Sequence, residues 1–208
     1  MECVREHDPE KWVPVFGQDH APVIESGQLR RMIHPKHAEV LINALSVLVV
    51  DDNAYMRKIV RSLLGNIGVK NIHEAADGIE ALEVLRAVAP DILILDWEMP
   101  LLNGPELVRI VRSPGVFPTP DIPIIMLSGY GERWRVIEAV RLGVNEFLCK
   151  PVSAKALLDR IRAILFKPRA SVKIGDYYGP EPRKIMLEMP ADAGDEGLPV
   201  AADELPAA

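Results

Sequence analysis

Five polar residues stand where apolar runs stop. Asp51 and Asp52 follow Val47-Leu48-Val49-Val50, and Asp96 follows Ile92-Leu93-Ile94-Leu95. Ser128 follows the run from Ile122 to Leu127, and Lys150 follows Glu146-Phe147-Leu148-Cys149. Short apolar runs of this kind, bounded by acids and prolines, read as strands buried on both faces. In a parallel sheet their carboxyl ends share one edge, which is where open α/β folds place their chemistry. Three carboxylates gathered there repel one another and raise each other's pKa unless a cation intervenes. A hard divalent ion, Mg²⁺ above all, is the usual answer, taking one or two carboxylates and leaving room for phosphate oxygens. Lys150 adds a fixed positive charge that can pair with a carboxylate or a transferred phosphoryl group, and Ser128 adds a hydroxyl able to donate to a phosphoryl oxygen. These residue types together describe phosphoryl transfer with Asp96 as the acceptor, the protein supplying position and charge neutralisation.

Each residue alone has a plainer reading. Asp51 or Asp52 could cap the helix starting at Ala54, Ser128 could be a turn residue, and Lys150 could be solvated. Trp97 and Trp134 read as packing or interface residues, and Cys149 as an inert strand residue. The joint pattern at four strand ends is what carries the chemical reading.

The elements that must position these residues alternate. Met56, Ile59, Val60, Leu63, Leu64 and Ile67 recur at helical spacing, with Arg57, Lys58 and Arg61 expected on the wet face and a stop near Gly65 or Gly68. Asn71–Ala75 is a weaker strand. A helix follows Asp77-Gly78 and ends by Pro90, and another starts around Gly104-Pro105, where proline suits the first turn. Four breakers in 113–120 make that stretch a loop. Helices through Trp134–Leu142 and from Ser153 to Leu165 complete the pattern, Ser153 serving as a cap. Five strands alternating with five helices predict an α/β fold with a parallel sheet and right-handed crossovers.

Composition narrows the function. At 208 residues, 49% hydrophobic and 26% charged, the chain can bury a full core, and only 5% aromatics means that Leu, Ile, Val and Ala must build it. A net charge of −6 argues against general nucleic-acid binding. No apolar run approaches the ~20 residues of a membrane span. The first residues lack the apolar core of a secretory signal, and Cys3 and Cys149 suggest no disulfide, so a cytoplasmic protein is expected. Residues 1–45, with prolines at 9, 14, 22 and 35, read as a flexible arm with a short helix from His37 to Leu45. His34 and His37 form an H-x-x-H with no supporting ligand set and read as solvated. From Met189 onward five acids, no bases and many Ala, Pro and Gly predict disorder. The expected organisation is an extension (1–45), a folded domain (46–167) and a second extension (168–208).

The stretches Val47-Leu48-Val49-Val50-Asp51-Asp52-Asn53, Asp96-Trp97-Glu98-Met99-Pro100, Leu127-Ser128-Gly129 and Lys150-Pro151 resemble the receiver domains of two-component response regulators, of the chemotaxis-regulator type. The resemblance covers roughly 46–167. The gap between Asp96 and Ser128 is slightly long for the family, and the Pro-rich loop at 113–120 is the place for the added residues. The resemblance implies a flavodoxin-like, doubly wound five-stranded sheet of order 2-1-3-4-5. It implies that Asp96 accepts a phosphoryl group from a sensor histidine kinase or histidine phosphotransfer protein. Asp51, Asp52, Asp96 and the backbone carbonyl of Glu98 would hold Mg²⁺. Ser128 would swing toward the phosphoryl group, Lys150 would pair with it, and Pro151 would follow a cis peptide bond. The aromatic switch falls on Phe147, where tyrosine is frequent, so no hydroxyl is available. Glu98 and Tyr130, two residues beyond Asp96 and Ser128, would flank the attacking water and set the lifetime of the phosphorylated state.

No apolar periodicity follows Phe166 that could build a helix-turn-helix domain. A stand-alone receiver is expected, signalling by binding a downstream effector protein, with Tyr130 and Trp134 as contacts. A phosphorelay intermediate or phosphate sink is the alternative. An aspartate-nucleophile phosphatase, with Glu98 as general acid–base, fits the flanking residues less well. The segment Tyr177–Lys184 resembles C-terminal extensions of some alphaproteobacterial stand-alone receivers, and reads either as a docking peptide or as an arm.

Overall fold

A computed structural model describes residues 35–182. The N-terminal arm through His34 and everything beyond Pro182, including Arg183, Lys184 and the acidic tail, lie outside the described residues. Five strands form one parallel sheet: β1 (Ser46–Val50), β2 (Asn71–Ala75), β3 (Ile92–Asp96), β4 (Ile124–Ser128) and β5 (Glu146–Cys149), in the order β2-β1-β3-β4-β5. The expected order and class are therefore observed. Among the described residues six helices accompany it, the short one expected near His37–Leu45 and the five that alternate with the strands: α1 (Pro35–Ala44), α2 (Ala54–Ile67), α3 (Gly78–Val88), α4 (Gly104–Val111), α5 (Arg133–Arg141) and α6 (Ala154–Phe166).

Strand side chains alternate between two cores. Leu48, Val50, Leu93, Leu95, Ile124 and Met126 face α3, α4 and α5, meeting Leu85, Leu107, Val111 and Ala139. Val47, Val49, Ile92, Ile94, Ile125 and Leu127 face the other way, onto Val60 and Leu64 of α2 and Leu157 and Ile161 of α6. Both faces of the central strands are thus covered, which is why their sequences are continuously apolar rather than alternating. Ile42 of α1 joins the second core at 3% exposure, so the last turns of the presumed arm belong to the folded body.

Local chemistry sets the element ends. The N-cap of α2 is Asn53, whose Oδ1 accepts from the amides of Tyr55 and Met56. Neither Asp51 nor Asp52 caps it, because the Asp51 carboxylate is turned onto the Asn53 amide and Lys150. Gly68 ends α2 in the left-handed region. Asn103 and Glu106 form a reciprocal capping box on α4, and Ser153 caps α6. Arg57 departs from the wet face expected for it. Its side chain is 18% exposed and donates to the carbonyls of Asp51 and Asp52 at 2.7 and 3.3 Å, closing the carboxyl end of β1.

After α6 the chain forms an antiparallel hairpin, β6 (Ser171–Ile174) and β7 (Tyr177–Pro180). It lies on the α5–β5 turn. Tyr178 Oη donates to Asp121 Oδ1 at 2.7 Å, and Arg169 Nη2 donates to the Asn145 carbonyl at 2.6 Å. Gly143 is held at φ 88°, and a Cβ there would stand 2.6 Å from the Tyr178 carbonyl oxygen. Of the two roles weighed for Tyr177 and its neighbours, the hairpin up to Pro180 takes that of a packed arm.

Candidate phosphoryl-transfer site

The strand ends bring Asp51, Asp52, Asp96, Ser128 and Lys150 to one edge of the sheet. One oxygen from each of Asp51, Asp52 and Asp96 lies within 4.8 Å of the others. Asp51 and Asp96 are buried at 1% and 6% exposure, whereas Asp52 is open to solvent. Lys150 Nζ sits 2.8 Å from Asp51 Oδ2 and 2.9 Å from Asp96 Oδ1. Its strand is locked to β4 by the Lys150 amide, which donates to the Ser128 carbonyl at 2.7 Å, and the Lys150–Pro151 peptide is cis. Ser128 is fully buried, and its Oγ accepts from the Tyr130 amide at 3.1 Å.

The electrostatics are uneven. Burial is the largest influence on Asp96 and raises its pKa above the ordinary carboxylate value; Asp51 pushes the same way, while Lys150 and the Trp97 amide oppose. For Lys150 burial is again the largest influence and favours the neutral amine. The hydrogen bonds and charges of Asp51 and Asp96 outweigh it, so the pKa rises and the ammonium persists. One cation among three carboxylates leaves the cluster short of positive charge. The donor set is all hard oxygen, with Asp52 exposed at the mouth, and this fits a hydrated divalent ion such as Mg²⁺. An open cleft of about 440 Å³ beside it is lined by Asp52, Trp97, Glu98, Met99, Pro100 and Asn103.

Several contributors gave no signal of their own in sequence. Gly104 lies directly beneath Asp96: a Cβ there would stand 2.3 Å from the Asp96 carbonyl oxygen, so α4 approaches the strand end only through glycine. Leu101 in the intervening loop has φ 68°, a left-handed conformation that non-glycine residues rarely adopt. Arg135 was also unmarked. It bonds Glu98 Oε1 at 2.8 Å and lies over the rings of Trp97, Tyr130 and Trp134. Phe147 is half-buried and meets the Trp97 ring edge-on at 6.3 Å, and Trp97 meets Trp134 in the same manner at 6.1 Å. Tyr130 and Trp134 are about half exposed, Tyr130 lying in the loop before α5. Cys149 is an exposed free thiol.

Residues 47–162 match the response regulator receiver domain family, and the chain belongs to it. It is 40% identical over 122 residues to the chemotaxis protein CheY1 of Helicobacter pylori, covering 58% of this chain and 97% of that protein. It is 37% identical over 120 residues to the chemotaxis protein CheY of Pseudomonas aeruginosa, covering 58% and 95%. Among solved structures, the chemotaxis protein CheY4 of Vibrio cholerae superposes with a TM-score of 0.53 at 32% identity, covering 59% of this chain and all of that one. The receiver domain of Francisella response regulator 1452 gives 0.53 at 31% identity, covering 59% and 97%. The chain is thus a two-component receiver of the chemotaxis-regulator type, built for phosphorylation-dependent signalling.

Proposed function

We propose that Asp96 is the phosphoacceptor of a cytoplasmic, non-enzymatic signalling switch. The observation that carries this is the deficit of positive charge around a buried carboxylate: Asp51, Asp52 and Asp96 within 4.8 Å, with Lys150 the one cation paired to them among the described residues. In this reading Asp96 attacks the phosphorus of a phosphohistidine on a sensor kinase or histidine phosphotransfer protein, and the P–N bond breaks as the P–O bond forms. Mg²⁺, held by Asp51, Asp52, Asp96 and the Glu98 backbone carbonyl, would neutralise phosphoryl oxygens when bound. Lys150 would exchange its Asp96 contact for a phosphoryl oxygen, and Ser128 would release the Tyr130 amide to donate to another. Phe147, in edge contact with Trp97, is the switch that would report this change to the face carrying Tyr130 and Trp134, where a downstream effector protein docks. Inverting such an equilibrium from 1:99 to 99:1 takes about 5.5 kcal/mol, within reach of a dianion placed beside Lys150.

The phosphatase alternative needs Glu98 as a mobile acid–base, and the ion pair to Arg135 speaks against it. Incubation with acetyl phosphate and Mg²⁺ tests the main reading. Wild type should gain one acid-stable, base-labile phosphoryl group, and Asp96→Asn none; equal labelling of both would reject Asp96 as the acceptor.

A further inference from the structure

Arg135 is the most enclosed charge on the site's outer rim. Its side chain is 12% exposed, whereas its acidic partners are far more open, Glu98 at 61% and Glu132 at 49%. The enclosure is aromatic: the guanidinium carbon lies 4.8 Å from the Tyr130 ring centroid, 4.9 Å from Trp134 and 5.4 Å from Trp97. Nε and Nη1 are buried without a hydrogen-bond acceptor among the described residues. A buried guanidinium in such a place needs other compensation. It is held by the π faces, by the Glu98 bond and by the Glu132 carboxylate 3.3 Å from Nε.

Apart from Trp134, its neighbour on α5, its partners come from two loops. Trp97 and Glu98 leave β3 directly after Asp96, and Tyr130 and Glu132 leave β4 directly after Ser128. Arg135, on the first turn of α5, ties both loops to one helix. We propose that Arg135 is a positioning residue that clasps Glu98 and Tyr130 together across the mouth of the acidic cluster and thereby slows hydrolysis of the phosphorylated protein. This rests on Asp96 being the phosphoacceptor. In the hydrolysis, water attacks phosphorus, the bond from phosphorus to the Asp96 oxygen breaks, the carboxylate is restored, and inorganic phosphate leaves as the water's proton passes to solvent. With the clasp closed, the Tyr130 ring and the Glu98 side chain are held in place at the rim where that water enters; with it open, both are free to move aside.

The test measures first-order loss of label from protein phosphorylated with acetyl phosphate in Mg²⁺, after the donor is removed. Arg135→Ala should lose label about threefold faster or more. Arg135→Lys, which keeps the charge but not the planar stacking, should fall between Ala and wild type. The discriminating arm repeats Arg135→Ala in a Glu98→Gln, Tyr130→Ala background. If Arg135 acts through those two side chains, its removal there changes the rate little; an equal acceleration in both backgrounds would mean a merely structural role and overturn the clasp. Hydrogen exchange gives a second readout independent of the label: amides of 98–103 and 129–131 should exchange faster in Arg135→Ala, and unchanged protection would also overturn it. Failure of wild type to take label removes the phosphoacceptor reading and the clasp with it, whereas normal labelling with unchanged decay in Arg135→Ala removes the clasp alone.

Discussion

The two edges of the same sheet handle buried charge in opposite ways. At the carboxyl edge, three carboxylates converge on Lys150, and burial leaves Asp96 harder to ionise than a free carboxyl. At the amino edge, Arg112 is 6% exposed and sits among acceptors that carry no full charge. Its Nε donates to the Gly143 carbonyl at 2.9 Å, Nη2 donates to Asn145 Oδ1 at 3.0 Å, and Nη1 donates to the Pro120 carbonyl. Burial, the largest influence, lowers the Arg112 pKa to about 10, against the pull of Asp121, Tyr177 and Tyr178. The amino-edge charge is satisfied by fixed backbone and closed over by the hairpin. The carboxyl-edge charges are mutually frustrated and left open on the Asp52 side. A buried charge with all its donor nitrogens engaged is a structural part; a cluster with excess charge of one sign favours a counter-charge.

Breaking the amino edge should cost the most stability. Arg112→Met strands two backbone carbonyls and loosens Asn145, whose Oδ1 also receives the Ile124 amide at 2.9 Å. A loss of about 2–4 kcal/mol is expected by denaturant unfolding, with phosphoryl labelling retained in the folded fraction. At the carboxyl edge the sign reverses. Because burial raises the Asp96 pKa in the folded chain, its neutral form stabilises the fold fully below the unfolded carboxyl's pKa of about 3.9, and that contribution is lost as pH rises through the folded value. Asp96→Asn should therefore be more stable than wild type at neutral pH in the presence of chelator, by a smaller margin than the Arg112 loss. The gap should close on acidification; unfolding curves of both proteins across pH 3–8 would check it, and a gap that widens toward acid would contradict the assignment. The smallest effect belongs to the hairpin: Tyr178→Phe removes one exposed hydrogen bond to Asp121 and should cost about 0.5–1 kcal/mol, leaving the phosphoryl lifetime unchanged.

Much of the fold was written in local pattern. Each apolar run ended on a polar residue, each helix carried its 3.6-residue stripe, and Asp77, Ser153 and Pro105 marked starts that the structure keeps. Asp51, Asp52, Asp96, Ser128 and Lys150 were legible as a set because parallel strands send their carboxyl ends to one edge, so topology alone makes them neighbours. The choice of Asn53 over its acidic neighbours as helix cap was not legible, since it depends on Lys150, nearly a hundred residues away, drawing the Asp51 carboxylate inward.

The sequence by itself determined the alternation of strands and helices, the acidic edge and the family, because these rest on periodicity and on residue types at element ends. Only the tertiary structure decided the rest. It turned Arg57 from a wet helix face onto the β1 carbonyls, docked α1 and the hairpin on the body, required glycine under Asp96, and gathered two loops around Arg135. Those outcomes depend on which distant groups become neighbours, and a guanidinium has no preferred partner until packing brings carboxylates, carbonyls or rings within its reach.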